Sequence, residues 1–188
     1  TSLFTRVNKA LQSLKKDFEI IFINDGSHDK TKDILEDLHK KNNNIKIINF
    51  SRNFGHQTAV TAGLDFASGE VVAILDADLQ DPPEILPKFF TKLDEGYDVV
   101  YAIRKKRKEN IFKRIAYSLF YKILHLIASV DIPLDSGDFC VLSRRMVKTI
   151  NSFPERNRFI RGLRSWAGFK QIGLEYEREK RLAGTSKY

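Results

Sequence analysis

Cysteine, methionine and tryptophan occur once each in the 188 residues, and proline only five times. The lone Cys140 has no partner for an internal disulfide, so the fold must rest on burial and hydrogen bonding, and the composition suits a reducing, cytoplasmic compartment. Long uncharged apolar runs are also lacking. The strongest candidate, Ile111 to Val130, carries Lys113, Arg114 and Lys122, whereas a bilayer-spanning helix needs about 20 residues with few or no charges. The chain opens at Thr1 without a charged leader and apolar core, and the expectation is of a segment trimmed from a longer protein. Internal repeats and low-complexity tracts are missing too, which leaves a single ordinary domain over residues 1–188 as the expected organisation.

What is present is an apolar content of 42%, enough for one full core, and a net charge of +8. That excess of positive charge favours an anionic partner: a phosphate-rich ligand, a nucleic acid or an acidic lipid surface.

The first half alternates β-rich runs with segments of helical period. Strands are expected at Phe18–Ile23, Ile45–Phe50, Glu70–Leu75 and Asp98–Ile103. Helices are expected at Asp29–Lys40, at Gly55–Ala67 and after the Pro82-Pro83 pair. The alternation predicts an α/β fold with a mostly parallel sheet and helices on both faces. Such a sheet binds ligands beyond the carboxyl ends of its strands. Two expected strands end there in acidic clusters, Asn24-Asp25-Gly26-Ser27 and Asp76-Ala77-Asp78. After Arg104 comes the basic run Arg104 to Lys108, then a helix with apolar pairs from Asn110 to Ser129, a short strand Phe139–Leu142, and helical segments at Arg144–Asn151 and Asn157–Trp166.

Two carboxylates across a turn, as in Asp76-x-Asp78, suit Mg²⁺ or Mn²⁺ carrying a diphosphate, because a hard ion takes one or two carboxylates and completes its shell with phosphate and water oxygens. Taken alone, the same pair also reads as a helix cap or a solvated turn. Its surroundings decide. The blocks Ile23-Asn-Asp-Gly-Ser-His-Asp-Lys-Thr31, Ser51-Arg-Asn-Phe-Gly55, Asp76-Ala-Asp-Leu-Gln-Asp-Pro-Pro-Glu84, Asp135-Ser-Gly-Asp-Phe139, Phe159-Ile-Arg-Gly-Leu163 and Gly184-Thr-Ser-Lys-Tyr188 occur in order over nearly the whole chain. Together they resemble the family 2 glycosyltransferases of GT-A, Rossmann-like fold that glycosylate polyprenyl phosphates: bactoprenol glucosyltransferases and dolichyl-phosphate mannose synthases.

The resemblance implies an inverting hexosyltransferase using a nucleotide-sugar donor, UDP-glucose by preference, with undecaprenyl phosphate as acceptor; the alternative is a transferase of the same fold with another donor, GDP-mannose, or another acceptor. It further implies that Asp25, Gly26, Asp76 and Gln80 meet the nucleotide-sugar, and that Asp76 and Asp78 hold Mg²⁺ or Mn²⁺. Asp138 resembles the family's proposed base. A phosphate monoester has a second pKa near 6 and is already largely anionic at neutral pH, so Asp138 could instead orient the acceptor or steady positive charge on the sugar. Arg104, Arg158, Arg161 and Lys187 are candidates for phosphate and acceptor contacts, since guanidinium groups pair with phosphate oxygens in bidentate fashion.

By the same resemblance the family's first strand and its C-terminal membrane helices lie outside residues 1–188, and the intact protein is expected at the cytoplasmic face of the inner membrane, with homo-oligomerisation open. The Asn110–Ser129 helix and the basic run before it have the pattern of an amphipathic element at a lipid interface, although a core helix would show the same stripe. The alternative from another class, a basic nucleic-acid or lipid-binding module, lacks any recognised nucleic-acid motif or aromatic-basic platform. The four histidines, His28, His39, His56 and His125, show no ligand spacing and are expected to be structural.

Overall fold

The computed structural model describes residues 2–104 and 136–178. The Asn110–Ser129 helix, the run Lys105 to Lys108 and Lys187 lie outside the described residues. In chain order the elements are α1 (Ser2–Gln12), β1 (Ile20–Asn24), α2 (Thr31–Lys41), β2 (Ile45–Asn49), α3 (His56–Phe66), β3 (Val71–Ile74), a 3₁₀ turn (Pro83–Ile85), α4 (Leu86–Asp94), β4 (Val99–Arg104), β5 (Ser136–Ser143), α5 (Arg144–Ser152), α6 (Ile160–Trp166) and β6 (Gln171–Tyr176).

The strands pair in two groups. β1 and β2 run parallel in register from Ile20↔Ile45 to Asn24↔Asn49, as a strand-helix-strand unit requires. The other four lie in the order β3-β5-β4-β6. There β4 and β6 are parallel, but β5 runs antiparallel to both β3 and β4. The mostly parallel sheet expected from the alternation is therefore more mixed than that pattern implied, because β5 is inserted between strands of the alternating first half rather than added beside them. α3 packs across β1, with Gly63 close against Ile23.

β4 shows why its sequence reads as continuously apolar. Val99, Val100 and Ala102 have no exposed surface and Tyr101 has 9%, as expected of a strand covered on both faces. Successive side chains alternate between two cores. Val99 and Tyr101 join Cys140 and Leu142 of β5 against Leu64 of α3 and Met146, Val147 and Ile150 of α5. Val100 and Ala102 join Phe139 and Val141 against Leu86 and Phe89 of α4. Phe89 stacks on Phe139 with ring centroids 5.2 Å apart.

α5 begins at Ser143, whose hydroxyl accepts from the Met146 amide and donates to Asp98 at 2.9 Å. Asp98 is 2% exposed and also receives Arg145 in a bidentate pair. Its carboxyl is thereby held below the ordinary value, with the Arg145 hydrogen bonds the largest cause.

Three elements differ from the sequence expectation. α1 and β6 were not anticipated, and β5 spans Ser136–Ser143 rather than four residues. α1 is fixed by tertiary contacts, Leu11 on the α4 side of the core and a fork between Arg6 and Glu84 with both bonds at 2.8 Å. β6 is set by its parallel pairing with β4 over Val99↔Gln171 to Arg104↔Tyr176.

Replacing Phe89 with alanine removes a fully buried ring from between α4 and β5. Phe89→Ala should lower the unfolding free energy by about 3–5 kcal/mol, read by urea denaturation; a loss under about 1 kcal/mol would mean that the α4 face is not packed as described.

Candidate active site

The site is built where β1, β3 and β5 deliver their acidic residues. At the end of β1, Asn24 is 5% exposed; its side chain donates to Asn49 at the end of β2 (2.9 Å) and accepts from the Ser27 amide (3.0 Å). Gly26 follows with φ +68°, and a Cβ there would lie 2.4 Å from the backbone carbon of Arg52. No other residue type fits so close an approach in that conformation. Asp25 closes the same junction, since its two carboxylate oxygens accept from the Phe54 amide (2.7 Å) and the Gly55 amide (3.0 Å). The 51–55 block is thus fastened to the β1 turn twice, immediately before α3 begins.

α3 starts at His56, and the ring of His56 stands between two of the expected acids. Its Nε2 lies 2.8 Å from Asp138 Oδ2 and its Nδ1 lies 3.9 Å from Asp76 Oδ1. Arg161 of α6 donates through Nε to Asp138 Oδ1 at 3.0 Å, with Nη2 3.4 Å from Oδ2. Gln57 Nε2 is 3.4 Å from the same Oδ2, while its Oε1 accepts from the Ile160 amide at 3.1 Å. The side chain of Asp138 is 11% exposed. Burial pushes its carboxyl pKa up, but the His56 hydrogen bond and the Arg161 charge and hydrogen bond outweigh this and bring it to about 2. His56 is raised above its ordinary value, chiefly by the bond to Asp138.

Asp138 owes its place to an irregularity in β5. Cα pairing runs from Val99↔Leu142 to Tyr101↔Cys140, then resumes at Ile103↔Ser136. Gly137, Asp138 and Phe139 therefore stand opposite the single residue Ala102. A bulge of this kind bends the strand and re-aims a side chain, here the carboxylate, toward the start of α3.

Asp76 and Asp78 occupy the turn after β3. Asp78 Oδ1 accepts from the Gln80 amide at 3.1 Å, across Leu79 at φ +60°. This left-handed conformation is uncommon for a residue with a side chain and costs on the order of 1–3 kcal/mol. Gln80 contributes its backbone rather than its amide side chain to that turn. The carboxyl pKa of Asp76 is raised, first by burial and then by the negative charges of Asp81, Asp78 and Asp138, with His56 opposing. That mutual repulsion marks where positive charge is wanted.

Among the described residues no group of three or more His, Cys, Asp or Glu side chains is arranged to hold a metal. The donor set is instead the two-carboxylate kind that a hard divalent ion uses when phosphate and water complete its shell, and Asp76 and Asp78 fit it. On the far side Asp81, 1% exposed, receives the Tyr176 hydroxyl and Arg178 Nε at 3.4 Å. Arg178 Nη2 also comes within 3.9 Å of Asp78. Tyr176 is pushed up to about 12 by burial and by Asp81, with a hydrogen bond from Arg104 opposing. Arg104 thus sits beside the acidic turn through Tyr176.

Of the sequence-predicted residues, the structure brings Asp76, Asp78, Asp138 and Arg161 to one crevice and ties Asp25 and Gly26 to the loop that presents its central histidine. Arg158 goes elsewhere, contrary to the expectation of a phosphate contact. Its guanidinium meets Asp65 at 3.2 Å and the carbonyls of Asn151 and Phe153, so it clamps α3 to the connection between α5 and α6.

His56 and Arg178 were the residues missed. Nothing in histidine spacing pointed to His56; the available signal was its place directly after the Ser51–Gly55 block. Cys140 is fully buried in β5 beside this site and its thiol is pushed up by burial.

Comparison with known proteins agrees with this architecture. The chain is 46% identical over 186 residues to the uncharacterized glycosyltransferase YkcC of Bacillus subtilis (strain 168), covering 98% of this chain and 58% of that protein. It is 40% identical over 188 residues to the bactoprenol glucosyl transferase of Shigella phage SfV, covering 99% of this chain and 61% of the relative. It therefore spans less than two thirds of the curated relatives it matches. Among solved structures, the mannosyltransferase PcManGT from Pyrobaculum calidifontis in complex with GDP-Man and Mn²⁺ superposes with a TM-score of 0.58 at 18% identity, covering 91% of this chain and 51% of that one. Likeness at that identity speaks to fold alone, and the fold is GT-A. The family model "Glycosyl transferase family 2" matches residues 3–150, and the chain belongs to that family.

Proposed function

We propose that this glycosyltransferase chain transfers a hexose, glucose from UDP-glucose by preference, to a polyprenyl phosphate at the cytoplasmic face of a membrane, with inversion and with Mg²⁺ or Mn²⁺. The observation that carries the reading is the placing of Asp76 and Asp138 on either side of His56, with Asp78 close enough to Asp76 to act on it electrostatically. Kinship with a bactoprenol glucosyl transferase supports the acceptor class and the sugar. In this reading residues 1–188 act as one catalytic domain, with the membrane anchor outside them.

Asp76 and Asp78 would hold the ion. Bound there, it supplies charge neutralisation for the departing diphosphate. On the opposite side of the crevice, Asp138 is anionic far below neutral pH, because His56 and Arg161 hold its carboxyl near 2. A carboxylate so stabilised is a poor proton acceptor, since a general base works best with a pKa near the operating pH. The acceptor does not need one. A phosphate monoester is mostly dianionic at pH 7, and its oxygen forms the new bond to the anomeric carbon as the bond to the nucleoside diphosphate breaks. Asp138 then contributes by facing the positive charge that develops on the sugar, and Arg161, fixed to Asp138, keeps a cation beside the incoming phosphate.

The side chains of Phe54 and Phe159 are 44% and 49% exposed. They come from the two segments that carry His56 and Arg161, and exposed apolar side chains of this kind suit contact with a prenyl chain or a membrane.

The deciding experiment is a donor screen with undecaprenyl phosphate, reading which nucleoside diphosphate is released; release unaffected by the lipid acceptor would overturn the reading. Asp78→Ala should reduce transfer by about 10²-fold or more at saturating Mn²⁺, and unchanged transfer would remove Asp78 from the metal site. Asp138→Asn should lower kcat by about 10²-fold while leaving nucleotide affinity near that of the parent. Equal losses in both would assign Asp138 to structure alone. Reversing the charges of Lys105, Lys106 and Lys108 should weaken binding to anionic vesicles by about 1 kcal/mol per residue, and salt-insensitive binding would exclude electrostatic docking.

A further inference from the structure

We infer that His56 is a positioning residue that fixes the orientation of the Asp138 carboxylate toward the Asp76–Asp78 turn. The kinetic part of this inference rests on the function proposed above; the geometric part does not.

Three observations carry it. First, one imidazole spans the crevice, with Nε2 at 2.8 Å from Asp138 and Nδ1 at 3.9 Å from Asp76. The ring is hydrogen-bonded to Asp138 and stands within ion-pair range of Asp76. Second, the backbone that presents the ring is over-determined. Asp25 binds the two amides just before it, Gly26 lies against Arg52 at a distance no Cβ would allow, and Gly55 takes φ +97° at the helix start. Third, the ring itself is 47% exposed. The carboxylate it meets is 11% exposed, so His56 approaches Asp138 from the solvent side, and the anchoring of the backbone behind it matches a pre-organised site.

The remaining contacts show what His56 alone does. Without it, among the described residues Asp138 Oδ2 keeps Gln57 and Arg161 Nη2, both at 3.4 Å, whereas Oδ1 keeps Arg161 Nε at 3.0 Å. Gln57 is itself held in place by the Ile160 amide. The carboxylate would swing toward Arg161 and away from the crevice, and a displacement of about 1 Å at a reacting centre can cost on the order of 10²-fold in rate.

The test compares His56→Ala and His56→Gln in the full chain by crystal structure and by steady-state kinetics with the nucleotide-sugar and undecaprenyl phosphate. Expected are a rotated Asp138 carboxylate and a kcat lowered by about 10²-fold in His56→Ala, with donor KM unmoved. His56→Gln, whose amide can donate to Oδ2, should restore the orientation and most of the rate. An Asp138 carboxylate unmoved in His56→Ala would overturn the inference, as would a loss confined to KM or a glutamine variant no better than alanine. Should the parent protein transfer no sugar at all, the proposed function fails, and the carboxylate orientation in the two variants still decides for or against His56.

Discussion

The largely buried carboxylate of Asp138 organises this site. Asp138 has little exposed surface, and a carboxylate removed from water must be paired or its burial is strongly unfavourable. The pairing comes from both sides, His56 at the start of α3 and Arg161 in α6. Three elements distant in sequence are therefore obliged to meet: the bulged part of β5, the helix that follows the first parallel unit, and a short helix near the end of the described chain. The Gln57 contact to the Ile160 amide and the Arg158 clamp on Asp65 reinforce the same α3–α6 junction without entering the crevice.

Electrostatics then divides the crevice into two halves. Around Asp138 the acid is outnumbered by cationic or donating partners, and its pKa falls to about 2. Around the β3 turn Asp76 is raised, first by burial and then by the neighbouring acids, while Tyr176 and Arg178 satisfy Asp81 at the rear. Two carboxylates of identical chemistry thus acquire opposite shifts, one held as an anion by its cationic partners and the other in a place where added positive charge is favourable. The rigid sheet makes the division durable, because β3 and β4 are both hydrogen-bonded to β5 and cannot slide independently.

Much of the frame was legible in the amino-acid order. The continuously apolar strands, the helix starting after Gly55, the proline pair before α4 and the acidic strand ends all follow from local rules of propensity and periodicity, and the ordered motif blocks carried the family. α1 and β6 escaped because each takes its form from what it packs against, α1 from the Arg6–Glu84 fork and β6 from the edge of β4. The antiparallel insertion of β5 was hidden for a related reason, since strand direction is decided by pairing partners that a local pattern does not name.

By itself the sequence determined the chemistry available: carboxylates at strand ends, a basic surplus, one inert thiol and glycine at the turn that needs it. Only the tertiary structure decided which of those groups act together. It drew His56 into the crevice, assigned Arg161 to Asp138 and took Arg158 away to Asp65. The physical reason is range: propensity and spacing act over a few residues along the chain, whereas hydrogen bonds and charge pairs depend on distances in space that exist only after the strands have paired.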